Sequence, residues 1–231
     1  MLLNFGSHPI LLQFLPSVIM ALLILPVIQY FSCLVAYRLG DDSPEMKERL
    51  TLNPKAHIDP IGTLCLILFR FGWAKPLPIN PANFYKVKDR RTGMLLVALA
   101  GPGGSLVASF ICVFLANLLS LFSFTAVNNF AQFSITLLHL TAHISANIAL
   151  FLCLPLPGLP GQEIGEYFFP NVMEKMYSYK HYIYLFLFFL IAFPSPLLRL
   201  LTSLSNFIVD KLFGTFSILI LSVFSRIYSA F

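Results

Sequence analysis

Long apolar runs, interrupted once by a polar stretch, organise this chain. Runs at 11–37, 93–122, 133–156, 181–201 and 207–228 are each long enough to cross a hydrocarbon core of about 30 Å as a helix. The run at 61–71 is too short to span and carries Arg70, so it reads as a re-entrant or protein-buried segment. Residues 38–92 form the one extended polar region. There Pro44, Pro54, Pro60, Pro76, Pro78 and Pro81, with Gly62 and Gly72, argue against a continuous helix, and extended strands or loops pressed against the helix bundle are expected. The first run continues through Pro26 without a basic leader or a small-residue cleavage site, so it reads as a retained helix. Small residues in Ala98, Ala100, Gly101, Gly103, Gly104 and Ser105 would let another helix approach closely, and Pro102 would kink its own.

Composition narrows the class. With 231 residues, 58% hydrophobic and 11% charged, the chain lies outside the range of soluble domains and reads as an all-α multi-span membrane protein, a single membrane domain over 1–231. Its four cysteines (Cys33, Cys65, Cys112 and Cys153) lie in apolar segments without C-x-x-C spacing, which argues against a disulfide framework and a thiolate metal site.

The net charge of +5 matters through its placement. Of fifteen Lys and Arg residues, ten lie in the polar region: Arg38, Lys47, Arg49, Lys55, Arg70, Lys75, Lys86, Lys88, Arg90 and Arg91. The stretch 123–132 has no charge, and Lys175 and Lys180 follow the next spans. This bias predicts that 38–92 faces the cytoplasm. No interleaving of basic and aromatic residues points to nucleic acid, and the expected partner of the basic cluster is the bilayer and its anionic headgroups.

One constellation is compatible with a metal. His139 and His143 lie four residues apart on one helical face, and Asn147 continues the stripe. No glutamate is adjacent, and Glu163 is the nearest acidic candidate along the sequence. Hydrogen bonds to other helices would equally satisfy two intramembrane histidines.

Four ordered blocks carry a family resemblance. Ala36-Tyr37-Arg38-Leu39-Gly40-Asp41 ends the first span. Arg49-Leu50-Thr51-Leu52-Asn53-Pro54 continues through His57-Ile58-Asp59-Pro60 to Gly62-Thr63, and Phe71-Gly72-Trp73-Ala74-Lys75-Pro76 continues through Leu77-Pro78-Ile79-Asn80-Pro81. Met94 to Pro102 follows in order. The chain resembles the short, single-domain branch of the site-2 intramembrane proteases (M50 metallopeptidases) over about 18–169, with 170–231 as additional C-terminal transmembrane helices. The resemblance implies a transmembrane helix core with a loop or short-strand re-entrant region after the first helix, in a bacterial cytoplasmic membrane.

The same resemblance places Ile28 and Ser32 at the two histidines of H-E-x-x-H, Gln29 at the glutamate, and Pro160 at the aspartate of the P-P-L-D-G block. Zinc hydrolysis needs about three protein ligands, an open position for water and a base. Ile28 offers no lone pair, Pro160 only a main-chain carbonyl, Ser32 is a poor neutral ligand, and Gln29 cannot accept a proton. The resemblance therefore implies a catalytically inactive homologue without a cofactor. It would retain the scaffold to bind or regulate a transmembrane client through Asn53, His57, Asp59, Gly72, Trp73, Asn80 and Asn147. The residues themselves offer blander roles: Gln29 and Ser32 bonding a neighbouring helix, His57 and Asp59 fixing the loop, and Lys75 with Trp73 at the headgroup level. The alternative is an active zinc metalloprotease with His139, His143 and His57 as ligands.

Overall fold

In a computed structural model, residues 9–69, 74–122, 129–157, 159–179, 182–183 and 196–229 are described. The first rod joins α1 (Pro9–Ile19) to α2 (Leu25–Arg38) through a π-helical turn, Met20–Ile24. Pro26 has no N–H to return to the carbonyl four residues back, and the widened turn directly upstream, closed by the Leu25 N–H to Met20 O, accommodates that gap. The short helices α3 (Ser43–Met46), α4 (Pro54–His57) and α5 (Pro60–Phe69) follow, then a single 3₁₀ turn, Pro81–Asn83. Next come α6 (Arg90–Phe122) and α7 (Asn129–Leu152), then α8 (Pro160–Phe168) and α9 (Pro170–Ser178). The last rod is α10 (Pro196–Asn206), a π-helical segment Phe207–Phe213 and α11 (Gly214–Ser229).

Four segments are long and apolar enough to cross a membrane: Phe14–Arg38, Arg90–Leu121, Phe130–Leu152 and Arg199–Val223. The protein is an all-α multi-span membrane protein. Most of the run expected to span at 181–201 lies outside the described residues, and its end belongs to the rod that forms the fourth segment. The polar region holds short helices joined by loops and, among the described residues, no strand. Prolines explain the choice: Pro54, Pro60 and Pro81 each occupy the start of a helical turn, where a missing N–H has no partner to lose.

The helices α6 and α7 make the most extensive pairing, joined across the interface by Ser109 Oγ donating to Ala142 O at 2.8 Å. Because they run antiparallel, α8 and α9 emerge on the same side as the polar region. Met20, Leu25 and Ile28 of the first rod pack with Leu66 of α5 and with Ile144 and Ile148 of α7 in one apolar cluster. A second cluster sets Phe84 of the loop against Ala36 of α2 and Val97 of α6. Large apolar side chains left exposed, such as Leu23, Phe31, Val107, Ile111 and Leu219, occur along the spanning segments, where lipid replaces water as the contact.

Candidate functional site

The polar region is held down by two charged residues that are buried. Asp41 follows α2 and is fully enclosed. Its Oδ1 accepts from the Ser43 N–H at 3.1 Å, Ser43 Oγ at 2.6 Å and Asn83 Nδ2 at 3.0 Å, while Oδ2 accepts from the Asn80 N–H at 2.7 Å. Burial pushes this carboxyl up, but those four donors outweigh it and hold Asp41 below the ordinary carboxylate value. Between α2 and Asp41, Gly40 has φ +110°, and a Cβ there would lie 2.6 Å from the Tyr85 ring. Only glycine meets both demands at once.

Arg49 is the second anchor, 7% exposed. Its guanidinium donates to the carbonyl of Ala56, to Lys75 O at 3.1 Å and to Pro76 O at 3.2 Å, so one fork ties the segment after α3 to α4 and to the stretch at 75–76. Both anchors lie in the blocks that carry the family resemblance, but neither is expected from the sequence as a buried staple. Each is one charge among many in a polar stretch, and nothing in a pattern separates a buried loop charge from a solvated one.

Four of the seven residues expected to contact a client have local partners. Asn53 caps α4 by accepting the Lys55 N–H at 3.1 Å, and Asn80 caps the 3₁₀ turn by accepting the Ala82 N–H at 3.1 Å. Asp59 Oδ1 accepts the Gly62 N–H at 2.8 Å at the start of α5. His57 is fully buried, with Nε2 2.7 Å from Thr51 O. These are loop-fixing bonds. Asn53 borders an open cavity of about 550 Å³ with Glu45, Glu48 and Lys55, while the neighbours of Asn80, Ile79 and Pro81, border a different one. Asn147 lies within the third span on α7, with Oδ1 buried and no partner among the described residues. Gly72 and Trp73 lie outside the described residues.

A pH dependence follows from His57. To donate to Thr51 O, Nε2 must carry the proton, which leaves Nδ1 bare and buried without a partner. Burial, chiefly, lowers this imidazole below its ordinary value, with Arg49 and Lys75 adding to the effect against the Thr51 bond. A lowered value means that the stabilisation is complete above the unfolded-state value of about 6.5 and is lost as pH falls through the folded one. Proteolysis of the polar region in detergent is expected to accelerate below about pH 6, and His57→Gln is expected to flatten that acid limb. An acid limb identical in both proteins would rule out His57 as its origin.

The face of α2 carrying Ile28, Gln29 and Ser32 is closed. Ile28 is 4% exposed in the apolar cluster, and a Cβ added to Gly104 of α6 would lie 3.5 Å from its Cγ1, so Ile28 sits against the glycine face of α6. Ser32 Oγ donates to Ile28 O of its own helix at 3.3 Å, and Gln29 Oε1 is buried with no partner among the described residues. For Ser32 this corrects the expectation that it would bond a neighbouring helix: α6 meets it with Gly101, which brings no side-chain polar group. Pro160 is the first residue of α8.

The histidine pair has a different acidic partner from the one the sequence suggested. His143 Nε2 lies 3.4 Å from Asp210 Oδ1, on the π-helical segment of the last rod. Glu163 lies instead on α8, at the polar side of the bundle. Sequence distance misleads here because the return of the last rod along α7 brings position 210 beside 143. Among the described residues no three His, Cys, Asp or Glu side chains gather as a ligand set, and His57 remains tied to Thr51.

No protein-family model and no solved structure matches the chain. A protein of Bacillus subtilis (strain 168), named "Putative zinc metalloprotease YwhC", is 38% identical over 164 residues, which cover 71% of this chain and 73% of the relative. Similarity of that extent shows that the chain belongs to the zinc-metalloprotease-like family that YwhC represents.

Proposed function

We propose that this chain is a catalytically inactive member of the site-2 protease group that holds a transmembrane segment of a client without cutting it. The observation that carries this reading is the environment of Ile28. At a position where the resemblance calls for a zinc-binding imidazole, an isoleucine fills an apolar cluster against α6. Ser32, at the second histidine position, spends its hydroxyl on its own helix, and Pro160, at the aspartate position, has no side-chain donor. These residues do not fit a zinc ion. What the chain keeps is the loop apparatus stapled by Asp41 and Arg49 beside α2, which supports a binding role.

The setting proposed is a bacterial cytoplasmic membrane with residues 38–92 on the cytoplasmic side. Protein purified in detergent is expected to contain no stoichiometric zinc by metal analysis. About one equivalent, lost in His139→Ala with His143→Ala, would defeat this reading in favour of an active protease with a relocated site.

A further inference from the structure

On the polar side of the bundle, the start of α6, the end of the loop, α8 and α9 enclose an open cavity of about 820 Å³. Arg90 and Arg91 of α6 line it together with Glu163 and Glu166 of α8 and Glu174 of α9. Among the described residues the ion pair is His143 with Asp210, so these five charges share a cavity without neutralising one another. Glu166 accepts from Gln162 Nε2 at 2.6 Å, a neutral partner. The N-terminus of α6 is already capped: Asp89 accepts the Arg91 N–H at 3.1 Å and the Thr92 N–H at 3.2 Å. Positive charge in the cavity therefore comes from the guanidinium groups, not from the helix end. Burial, and then the charge of Glu166, push the Glu163 carboxyl up, the direction that a bound cation would reverse.

Position adds a second constraint. Arg90 opens the second spanning segment, so the cavity sits where that helix leaves the hydrocarbon. At the corner of α8 and α9, Phe168, Phe169 and Val172 are exposed, while Tyr167 and Tyr177 line the cavity. Short helices with carboxylates on one side and exposed phenyl groups on the other suit the membrane interface, and tyrosine is enriched at that depth.

We propose that this cavity binds the headgroup of an aminophospholipid such as phosphatidylethanolamine, with Arg90 and Arg91 on the phosphodiester and Glu163 and Glu166 on the primary ammonium. Guanidinium matches phosphate oxygens in a bidentate fork, and an ammonium offers three donors to carboxylates. An anionic lipid would satisfy only the arginines and a basic peptide only the glutamates. The exposed Phe168, Phe169 and Val172 give the acyl chains an apolar border that a soluble peptide would not need. This assignment does not depend on whether the family's hydrolytic site is active.

The test is native mass spectrometry of the full chain in detergent, titrated with dioleoyl phosphatidylethanolamine and, separately, dioleoyl phosphatidylglycerol. One phosphatidylethanolamine is expected to be retained about fivefold better than phosphatidylglycerol. Arg90→Gln with Arg91→Gln is expected to weaken both lipids, and Glu163→Gln with Glu166→Gln to erase the preference while phosphatidylglycerol is still held. Equal retention of the two lipids, or a preference unchanged in both double variants, overturns the proposal. On the unaltered protein, a headgroup-photoactivatable phosphatidylethanolamine should label residues 162–178, and labelling confined elsewhere would also overturn it. So would a synthetic Lys-rich peptide that crosslinks to this segment in protein that retains no phosphatidylethanolamine, because the cavity would then belong to a peptide.

Discussion

Ile28→His, Gln29→Glu, Ser32→His and Pro160→Asp, made together, are expected to take the protein from no bound zinc to about one equivalent. Positions 28 and 32 are one helical turn apart on α2, so two imidazoles there would share a face, with the glutamate beside the first. Pro160 is the first residue of α8, a position where aspartate is favoured by the helix dipole, so the exchange leaves the start of that helix intact. Ile28→His alone is expected to destabilise the protein by about 1–3 kcal/mol, because it buries an unpartnered imidazole in an apolar cluster. The metal should restore that loss in the quadruple variant. Metal analysis and the melting temperature with and without zinc read both effects. A quadruple variant that folds and takes up no zinc would mean that the family backbone geometry at the former site has been lost, leaving the resemblance architectural.

Arg49→Met is expected to release the polar region from the bundle. Removing the guanidinium leaves the carbonyls of Ala56, Lys75 and Pro76 without their donor, at about 1–3 kcal/mol for each acceptor that stays buried, so a total loss of about 3 kcal/mol or more follows. Arg49→Lys should recover little of it. A single ammonium on a flexible stem cannot reproduce a planar fork that reaches carbonyls from residue 56 to residue 76. Hydrogen exchange over residues 50–80 is expected to accelerate sharply in both variants while α6 and α7 remain protected. Unchanged exchange in Arg49→Met would show that Asp41 and the Phe84 cluster hold the region by themselves.

Hydrophobic run length made the helical, membrane-spanning class legible in advance, because a bilayer rewards length and apolarity and asks little of residue order. Prolines marked the breaks in the polar region, but not its conformation. Proline stops a continuous helix and equally starts a short one, and Pro54, Pro60 and Pro81 do the second. At the positions where the resemblance expects a zinc site, the identities of Ile28, Gln29, Ser32 and Pro160 are legible at once, since the lone pairs a side chain offers can be read residue by residue. What surrounds them could not be read in this way. That α6 presents glycines to Ile28, and that Gln29 Oε1 is buried without a partner among the described residues, depends on the rotation of helices about their axes. Long-range partners escaped for the same reason. Asp210 meets His143, Asp41 holds Asn80, and Arg49 reaches Pro76, each across a stretch of chain whose path only packing fixes. The sequence by itself determined the solvent this protein lives in and which side chains stand at the positions the resemblance marks, because both depend on composition and residue type. Tertiary structure alone decided which buried charges staple the loop and which charges of α6, α8 and α9 line one cavity, because proximity is a property of distance in space.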